Sequence, residues 1–324
     1  MARPRYVMDF ERPLVELENK LADLRRLDSE ANPDLHIEIE ALAAEIEALR
    51  VETYHHLSPW DRVQIARHPD RPKTQHYIEA LFTDVLELHG DRLFGDDEAV
   101  FTGLAKLDGR RVVVIGHRKG NTTTENIRRH FGSPMPEGFH KAMRVMRLAE
   151  KFGLPLVTFL DTPGAYAGPE AEERGQGWAI AESLQLLGAL SVPIVCVGIG
   201  EGGSGGALAI GFGDRLLILE NAYYSVSSPE ACASIIYRDA GQAETVSACL
   251  KMTAADVVRM GIADEVLPEP IGGAHRDREA VFSAVRVAVN SALDELTRLP
   301  ADQIVERRYQ RLRAIGEICT VEGV

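Results

Sequence analysis

Gly200-Glu201-Gly202-Gly203-Ser204-Gly205-Gly206-Ala207 places five glycines between two apolar runs, Pro193 to Ile199 and Ala207 to Phe212. A strand leading into such a stretch and then into a helix lets main chain approach a ligand closely, because glycine has no Cβ. The first free N–H groups of the helix then point at whatever oxygen sits there. A second turn, Asp161-Thr162-Pro163-Gly164-Ala165-Tyr166, follows the apolar run Pro155 to Leu160 in the same way. The two turns read as one divided site whose chemistry is the holding of negative charge by backbone donors.

Other chemistries are weighed on the same residues. Gly198 to Gly203 satisfies G-x-G-x-x-G after a strand, with Glu220 at about the spacing of a ribose-binding acid. That fingerprint opens the first βαβ unit of a domain, whereas several strands precede it here. Gly202-Gly203-Ser204-Gly205-Gly206 also satisfies G-x-S-x-G, and Asp256, Asp264 and His275 follow in hydrolase order, so a serine hydrolase using Ser204 is a rival reading. The histidines show no metal-ligand spacing, and Cys196, Cys232, Cys249 and Cys319 form no C-x-x-C pair. Leu250-Lys251-Met252 lacks the Met that precedes a biotinyl lysine. What survives is oxyanion stabilisation, suited to a reaction in which a carbonyl oxygen gains charge, as in forming a thioester enolate. One such donor is worth about 3 to 4 kcal/mol of barrier.

The elements that position these turns are legible in outline. A chain of 324 residues with 45% apolar residues is long enough for a large α/β unit with helical additions. Leu14, Leu17, Leu21 and Leu24, then Leu35, Ile39, Leu42, Ile46 and Leu49 after a break over 28–34, predict a helical hairpin within residues 1–57. Its narrow stripes should bury against the following domain or another subunit, a role in assembly. Residues 58–98 read as a connector with a helix over 77–88. From 99 to 275 strands and helices alternate, starting with a hairpin at Asp108-Gly109. Helices are expected at 137–152 and 171–187, strands at 155–160, 193–199, 216–219 and 223–226, and a helix start at Ser228-Pro229. Residues 276–324 read as helices. Successive crossovers imply a largely parallel sheet with its ligand crevice at the carboxyl ends of the strands.

A net charge of −13 argues against general nucleic-acid binding. Locally, eleven Lys or Arg against four acids between Lys106 and Lys151 leave open a solvated face, a subunit contact or a phosphate-bearing ligand. No apolar run approaches a membrane span, and charges stand where the amino terminus would need a signal peptide's apolar stretch, so a cytoplasmic protein is expected.

Arg67 to Pro72 (RHPDRP), Asp161 to Tyr166, Ala171 to Gln176 (AEERGQ), Gly200 to Gly211, Glu269 to Arg276 (EPIGGAHR) and Arg307 to Arg313 (RRYQRLR) come in one order from about Phe10 to Arg313. In that combination the chain resembles the α subunits of bacterial acetyl-coenzyme A carboxylase carboxyltransferases. The resemblance implies a crotonase-like (ClpP/crotonase) α/β fold and pairing with a similarly folded β subunit in an α2β2 assembly. It also implies transfer of a carboxyl group from N-carboxybiotin, delivered by a biotin carboxyl carrier protein, to acetyl-coenzyme A to give malonyl-coenzyme A, the first committed step of fatty acid biosynthesis. Catalytic donors are then expected at Gly205, Gly206 and Ala207, with Gly164, Ala165, Gly202 and Gly203 lining the substrate site. No covalently bound cofactor and no metal are expected on this chain. Zinc belongs to the β subunit's four-cysteine ribbon, and biotin carboxylase, with its ATP chemistry, is a separate subunit. The sequence departs from the family at Gly164-Ala165-Tyr166-Ala167-Gly168-Pro169, where members read Gly-Ala-Tyr-Pro-Gly, which alters the stiffness of that loop. The remaining rivals are another coenzyme A thioester enzyme, a hydratase or decarboxylase subunit for which Glu201 is the nearby carboxylate, and an assembly scaffold without catalysis.

Overall fold

The computed structural model describes residues 6–27 and 33–316. The expectations about the first five residues, most of the 28–34 break and Cys319 fall outside that range. Helices α1 (Arg12–Leu27) and α2 (Pro33–His55) form the expected hairpin. Their stripes, however, bury against one another: Leu14, Leu21, Ile39, Leu42 and Ile46 make a cluster of their own. Two facing stripes are each other's partner, so burial here requires no second surface. Glu11, 1% exposed, ties the hairpin to the rest by accepting from Tyr54 Oη at 2.6 Å and Arg276 at 3.1 Å.

After α3 (Pro59–Ala66), α4 covers Thr74–Leu81 and the chain then becomes strand β1 (Phe82–Glu87). The single helix expected over 77–88 is thus half strand. Phe82 leaves the helix with φ −117° and ψ 150°, and pairing with β2 (Val100–Leu107) outweighs the weak helical periodicity. β2 and β3 (Arg110–His117) form the predicted hairpin, with Asp108 at φ 47° and Gly109 at φ 84°, as a two-residue turn of this handedness requires.

Next come α5 (Thr123–Arg128), α6 (Pro136–Phe152) and β4 (Leu156–Thr162). The helix expected over 171–187 is divided into α7 (Pro169–Glu173) and α8 (Gln176–Ala189), because Gly175 takes a left-handed φ of 79°. β5 (Ile194–Gly203) leads into α9 (Ser204–Gly211), β6 (Arg215–Leu219) and β7 (Tyr223–Ser225). Then follow α10 (Pro229–Tyr237), α11 (Ala243–Cys249), α12 (Ala254–Arg259), β8 (Glu265–Leu267), α13 (Arg278–Leu296) and α14 (Ala301–Arg313). Ser228 caps α10 by accepting from the Ala231 N–H at 3.2 Å.

The sheet order is β1-β2-β3-β4-β5-β6-β8. The first two pairings are antiparallel and the rest parallel. β5 changes neighbour along its length, pairing with β6 over Val195–Gly198 and with β7 over Glu201–Gly203. Its first half is anchored in the main core, which runs from Tyr77 to Leu296, while its second half carries the glycines to the carboxyl edge. Among the described residues no helix is long and apolar enough to cross a membrane.

Candidate anion-stabilising site

β4 and β5 are parallel neighbours, so the turns that follow them emerge side by side. Glycine lets them touch backbone to backbone. A Cβ on Gly206 would lie 2.6 Å from the Ala165 nitrogen and 2.6 Å from the Gly164 carbonyl carbon, and one on Gly203 would overlap the Pro163 carbonyl. A Cβ on Gly202 would lie 2.6 Å from the Tyr224 ring, and one on Gly200 would run into the Asp161 carboxylate. Gly205 differs from the other four in that the atoms nearest an added Cβ all belong to one side chain, that of Ile180, the closest at 3.1 Å. The glycines are needed first to bring the two turns together, and Gly205 is the one left facing outward.

The turn itself is tighter than the sequence implies. β5 continues through Gly203, and the reversal falls on Ser204, a non-glycine residue at φ 51°. Such a conformation costs about 1 kcal/mol. It starts α9 at once, so the N–H groups of Gly205, Gly206 and Ala207 stand in the first helical turn, without i−4 carbonyls. Across from them Thr162 Oγ1 accepts from the Gly164 N–H at 3.1 Å, and the Pro134 carbonyl accepts from Tyr166 at 2.9 Å. The intervening Ala165 N–H makes no hydrogen bond among the described residues. Four main-chain donors, at Ala165, Gly205, Gly206 and Ala207, thus gather where the two turns meet.

Beneath them lies a buried ionic network, of which the sequence motifs contain Arg67, Asp161 and Glu201 but not Lys119. Lys119 Nζ stands 2.7 Å from both Asp161 Oδ1 and Glu201 Oε2. Glu201 Oε1 also accepts from Arg67 Nε at 2.7 Å and Tyr223 Oη at 2.6 Å, and the Glu201 N–H donates to Asp161 at 3.1 Å. Burial alone would raise the Glu201 carboxyl, but Lys119 and Arg67 hold it down at about 2. Lys119, which burial would lower, is raised by Asp161 and Glu201. These charges are locked to one another and root both turns. A cavity of about 450 Å³ opens beside them, lined by Arg67, Lys73, Lys119, Asp161, Pro163 and Glu201 among others. A larger groove of about 840 Å³ lies around Arg111, Pro155 and Pro193, at the amino ends of β3, β4 and β5 and away from both turns.

The rival constellations do not assemble. His275 stacks on His68 with ring centroids 3.8 Å apart, Asp264 is paired with Arg215 and Arg311, and Asp256 accepts from the Thr253 hydroxyl that caps α12, so Ser204 has no triad. The G-x-G-x-x-G pattern lies inside β5 rather than in a loop, and Glu220 accepts from the Glu269 N–H. A paired, permanently ionised Glu201 is a poor proton carrier, which counts against a hydratase.

One protein-family model, described as acetyl co-enzyme A carboxylase carboxyltransferase-like, matches residues 7–316. The chain belongs to this carboxyltransferase family. Its relatives include an acetyl-coenzyme A carboxylase carboxyl transferase subunit alpha of Thermus thermophilus, 50% identical over 309 residues that make up 95% of this chain and 98% of that protein. The Geobacillus kaustophilus protein of the same name is 50% identical over 311 residues, 96% of each chain. Among solved structures, transcarboxylase 12S aligns with a TM-score of 0.57 at 19% identity, over 69% of this chain and 41% of that one. A Pseudomonas malonate decarboxylase hetero-tetramer aligns at 0.54 with 20% identity, over 68% and 89%. At these identities the structures establish the fold, which is crotonase-like, and the carboxyltransferase relatives establish the transferase class.

Within this carboxyltransferase, Gly205, Gly206, Ala207, Gly164 and Ala165 come together at the meeting of the turns, while Gly203 packs behind them on Pro163 and Gly202 faces Tyr223 and Tyr224 of β7. A sequence signal for the ionic network exists: Lys119 lies just after the β3 strand, Asp161 opens the second turn and Glu201 interrupts the glycines, all at one sheet edge.

Proposed function

We propose that this chain is the α half of an acetyl-coenzyme A carboxylase carboxyltransferase and that its glycine turn receives the biotin side of the reaction. The observation that carries the reading is the convergence of backbone donors from two turns, beside which the carboxylates of Asp161 and Glu201 are held by Lys119. In the proposed step the N–C bond of N-carboxybiotin breaks and carbon dioxide leaves. The charge left on biotin spreads to its ureido oxygen, where the N–H groups of Gly205, Gly206 and Ala207 stabilise it. The biotin nitrogen takes a proton from the acetyl methyl group, and the resulting thioester enolate forms the new C–C bond to carbon dioxide, giving malonyl-coenzyme A and free biotin.

The enolate oxygen needs its own donors, which an equivalent turn on a β subunit would supply, so the working unit is α2β2 with zinc held only by the β subunit. The carboxyl group arrives on a biotin carboxyl carrier protein charged by biotin carboxylase, and the setting is cytoplasmic fatty acid synthesis. The test is malonyl-coenzyme A-dependent carboxylation of biocytin, the reverse reaction, by the chain alone and after co-expression with a zinc-ribbon β subunit. Activity confined to the complex is expected; a complex that forms but shows none would sink the reading.

A further inference from the structure

His117 ends β3, is fully buried, and takes no part in the ionic network beside it. Its two ring nitrogens reach the two turns. The Asp161 N–H, at the root of one, lies 3.2 Å from Nδ1, and the Gly206 carbonyl, inside the other, lies 3.1 Å from Nε2. A backbone N–H can only donate and a carbonyl can only accept, so the ring must carry its single proton on Nε2. Burial pushes the imidazolium down to about 3, which keeps this tautomer in place at neutral pH. The Gly206 carbonyl and the Ala207 N–H belong to the same planar trans peptide and point in opposite directions. Whatever holds the carbonyl therefore aims the N–H, and a donor on the carbonyl also polarises the N–H.

We infer that His117 is a positioning residue for the donor cluster: by donating from Nε2 to the Gly206 carbonyl and accepting at Nδ1 from Asp161, it fixes the Ala207 N–H in direction and strength and holds the two turns in register. It touches no substrate. Gly206 lies against Ala165, so the same contact sets the separation between donors of the two turns. The inference rests on the reading that these N–H groups stabilise charge in the transition state.

Three substitutions separate the two hydrogen bonds. In H117Q the terminal amide nitrogen replaces Nε2 and keeps the bond to Gly206. In H117N the shorter side chain offers an acceptor near Nδ1 and leaves Gly206 unmet, and H117F removes both bonds. In the complex with the β subunit, malonyl-coenzyme A-dependent carboxylation of biocytin should lose roughly tenfold or more in kcat in H117N and H117F, a fraction of what losing a direct donor costs. KM for malonyl-coenzyme A should stay within about twofold, and H117Q should return kcat to within about threefold of the native chain. Native kcat in H117N and H117F, or a loss in H117Q equal to that in H117N, overturns the inference. So does an acid limb between about pH 5.5 and 7 that H117Q abolishes, since it would mark a titrating imidazole. If H117F does not fold, the H117N and H117Q pair, both buried amides, decides the matter. Gly205→Val is measured in parallel. Lost turnover there with native kcat in H117N removes His117 alone, whereas native turnover in Gly205→Val removes the parent reading as well.

Discussion

At the residue scale the five glycines of the β5–α9 junction have different tasks, and the structure ranks them. G206A and G203A force a methyl group into the backbone of the facing turn, where nothing flexible can yield. Overpacking of this kind costs about 1 to 3 kcal/mol, so both variants should show a clearly lowered thermal midpoint. G205A meets only the tip of Ile180 and gains helix propensity of about 1 kcal/mol, so its midpoint should be unchanged or higher. A G205A midpoint as low as that of G206A would show that the whole stretch is uniformly packed and that Gly205 is not the outward-facing member. Lys119 makes a sharper case. K119M leaves Asp161 and Glu201 buried without their shared cation, and stranding buried charges costs roughly 3 to 5 kcal/mol. Urea unfolding should register that loss even though Lys119 is not one of the four donors. In the sequence this lysine is marked only by its place just after β3, because its meaning depends on two carboxylates 42 and 82 residues away, a relation that the parallel register of β3, β4 and β5 creates.

At the scale of elements, segments of strong periodicity or sharp turn chemistry are readable: the α1–α2 hairpin, the Asp108-Gly109 turn, the Ser228 cap and the β4–β5 pair. The failures have one physical character, in that tertiary pairing decides a segment whose local signal is weak. β1 carries Val and Leu at spacings that fit a helix, yet its backbone hydrogen bonds go to β2. The apolar run predicts an end to β5 at Ile199, but β7 supplies partners for Glu201, Gly202 and Gly203, so the strand persists through glycine. The RRYQRLR motif likewise gains meaning only through contacts. Arg308 of α14, 1% exposed, pairs with Asp214 at 2.8 Å and donates to the carbonyls of Leu187, Leu190 and Val192. It therefore fastens the end of α8, the entry to β5 and the entry to β6 with one guanidinium. Lysine cannot reproduce that fork. R308K should lower the urea midpoint substantially, and R308M further still, whereas R307K, at the exposed Glu295 pair, should change stability by less than about 0.5 kcal/mol. Equal effects at 307 and 308 would show that the clamp contributes no more than a surface pair.

For the whole molecule, the basic segment between Lys106 and Lys151 is partly neutralised by acids from elsewhere in the chain. Lys106 pairs with Asp84, Arg118 with Glu87, Arg128 with Glu98 and Lys141 with Asp96, so acids outside the segment offset part of the charge excess seen along the chain. What remains unbalanced is the titration of buried groups, and its sign can be worked out. His117 titrates near 3 in the fold and near 6.5 when unfolded, because burial penalises the imidazolium. Burial, helped by neighbouring cations, also takes His275 down to about 3. Below pH 6.5 the unfolded chain therefore binds protons that the folded chain refuses. Stability falls as pH drops from about 6.5 toward 3, by roughly 1.4 kcal/mol per pH unit for a fully buried histidine. Glu201 adds to this only below about pH 4.5, its ordinary value, since Lys119 and Arg67 keep it ionised down to about 2. Asp97 and Asp214, raised by burial, bind protons more readily in the fold and offset part of that second loss. The thermal midpoint should accordingly be level between about pH 8 and 7 and start to fall below about 6.5, well above the range of ordinary carboxylates. H117Q, which carries no ionisable group at that position, should show a shallower decline between about pH 6.5 and 5 than the native chain. A midpoint that stays level down to about pH 5, or a decline identical in H117Q, would mean that His117 takes up a proton in the fold as readily as in the unfolded chain, at odds with an Nδ1 that accepts from the Asp161 N–H.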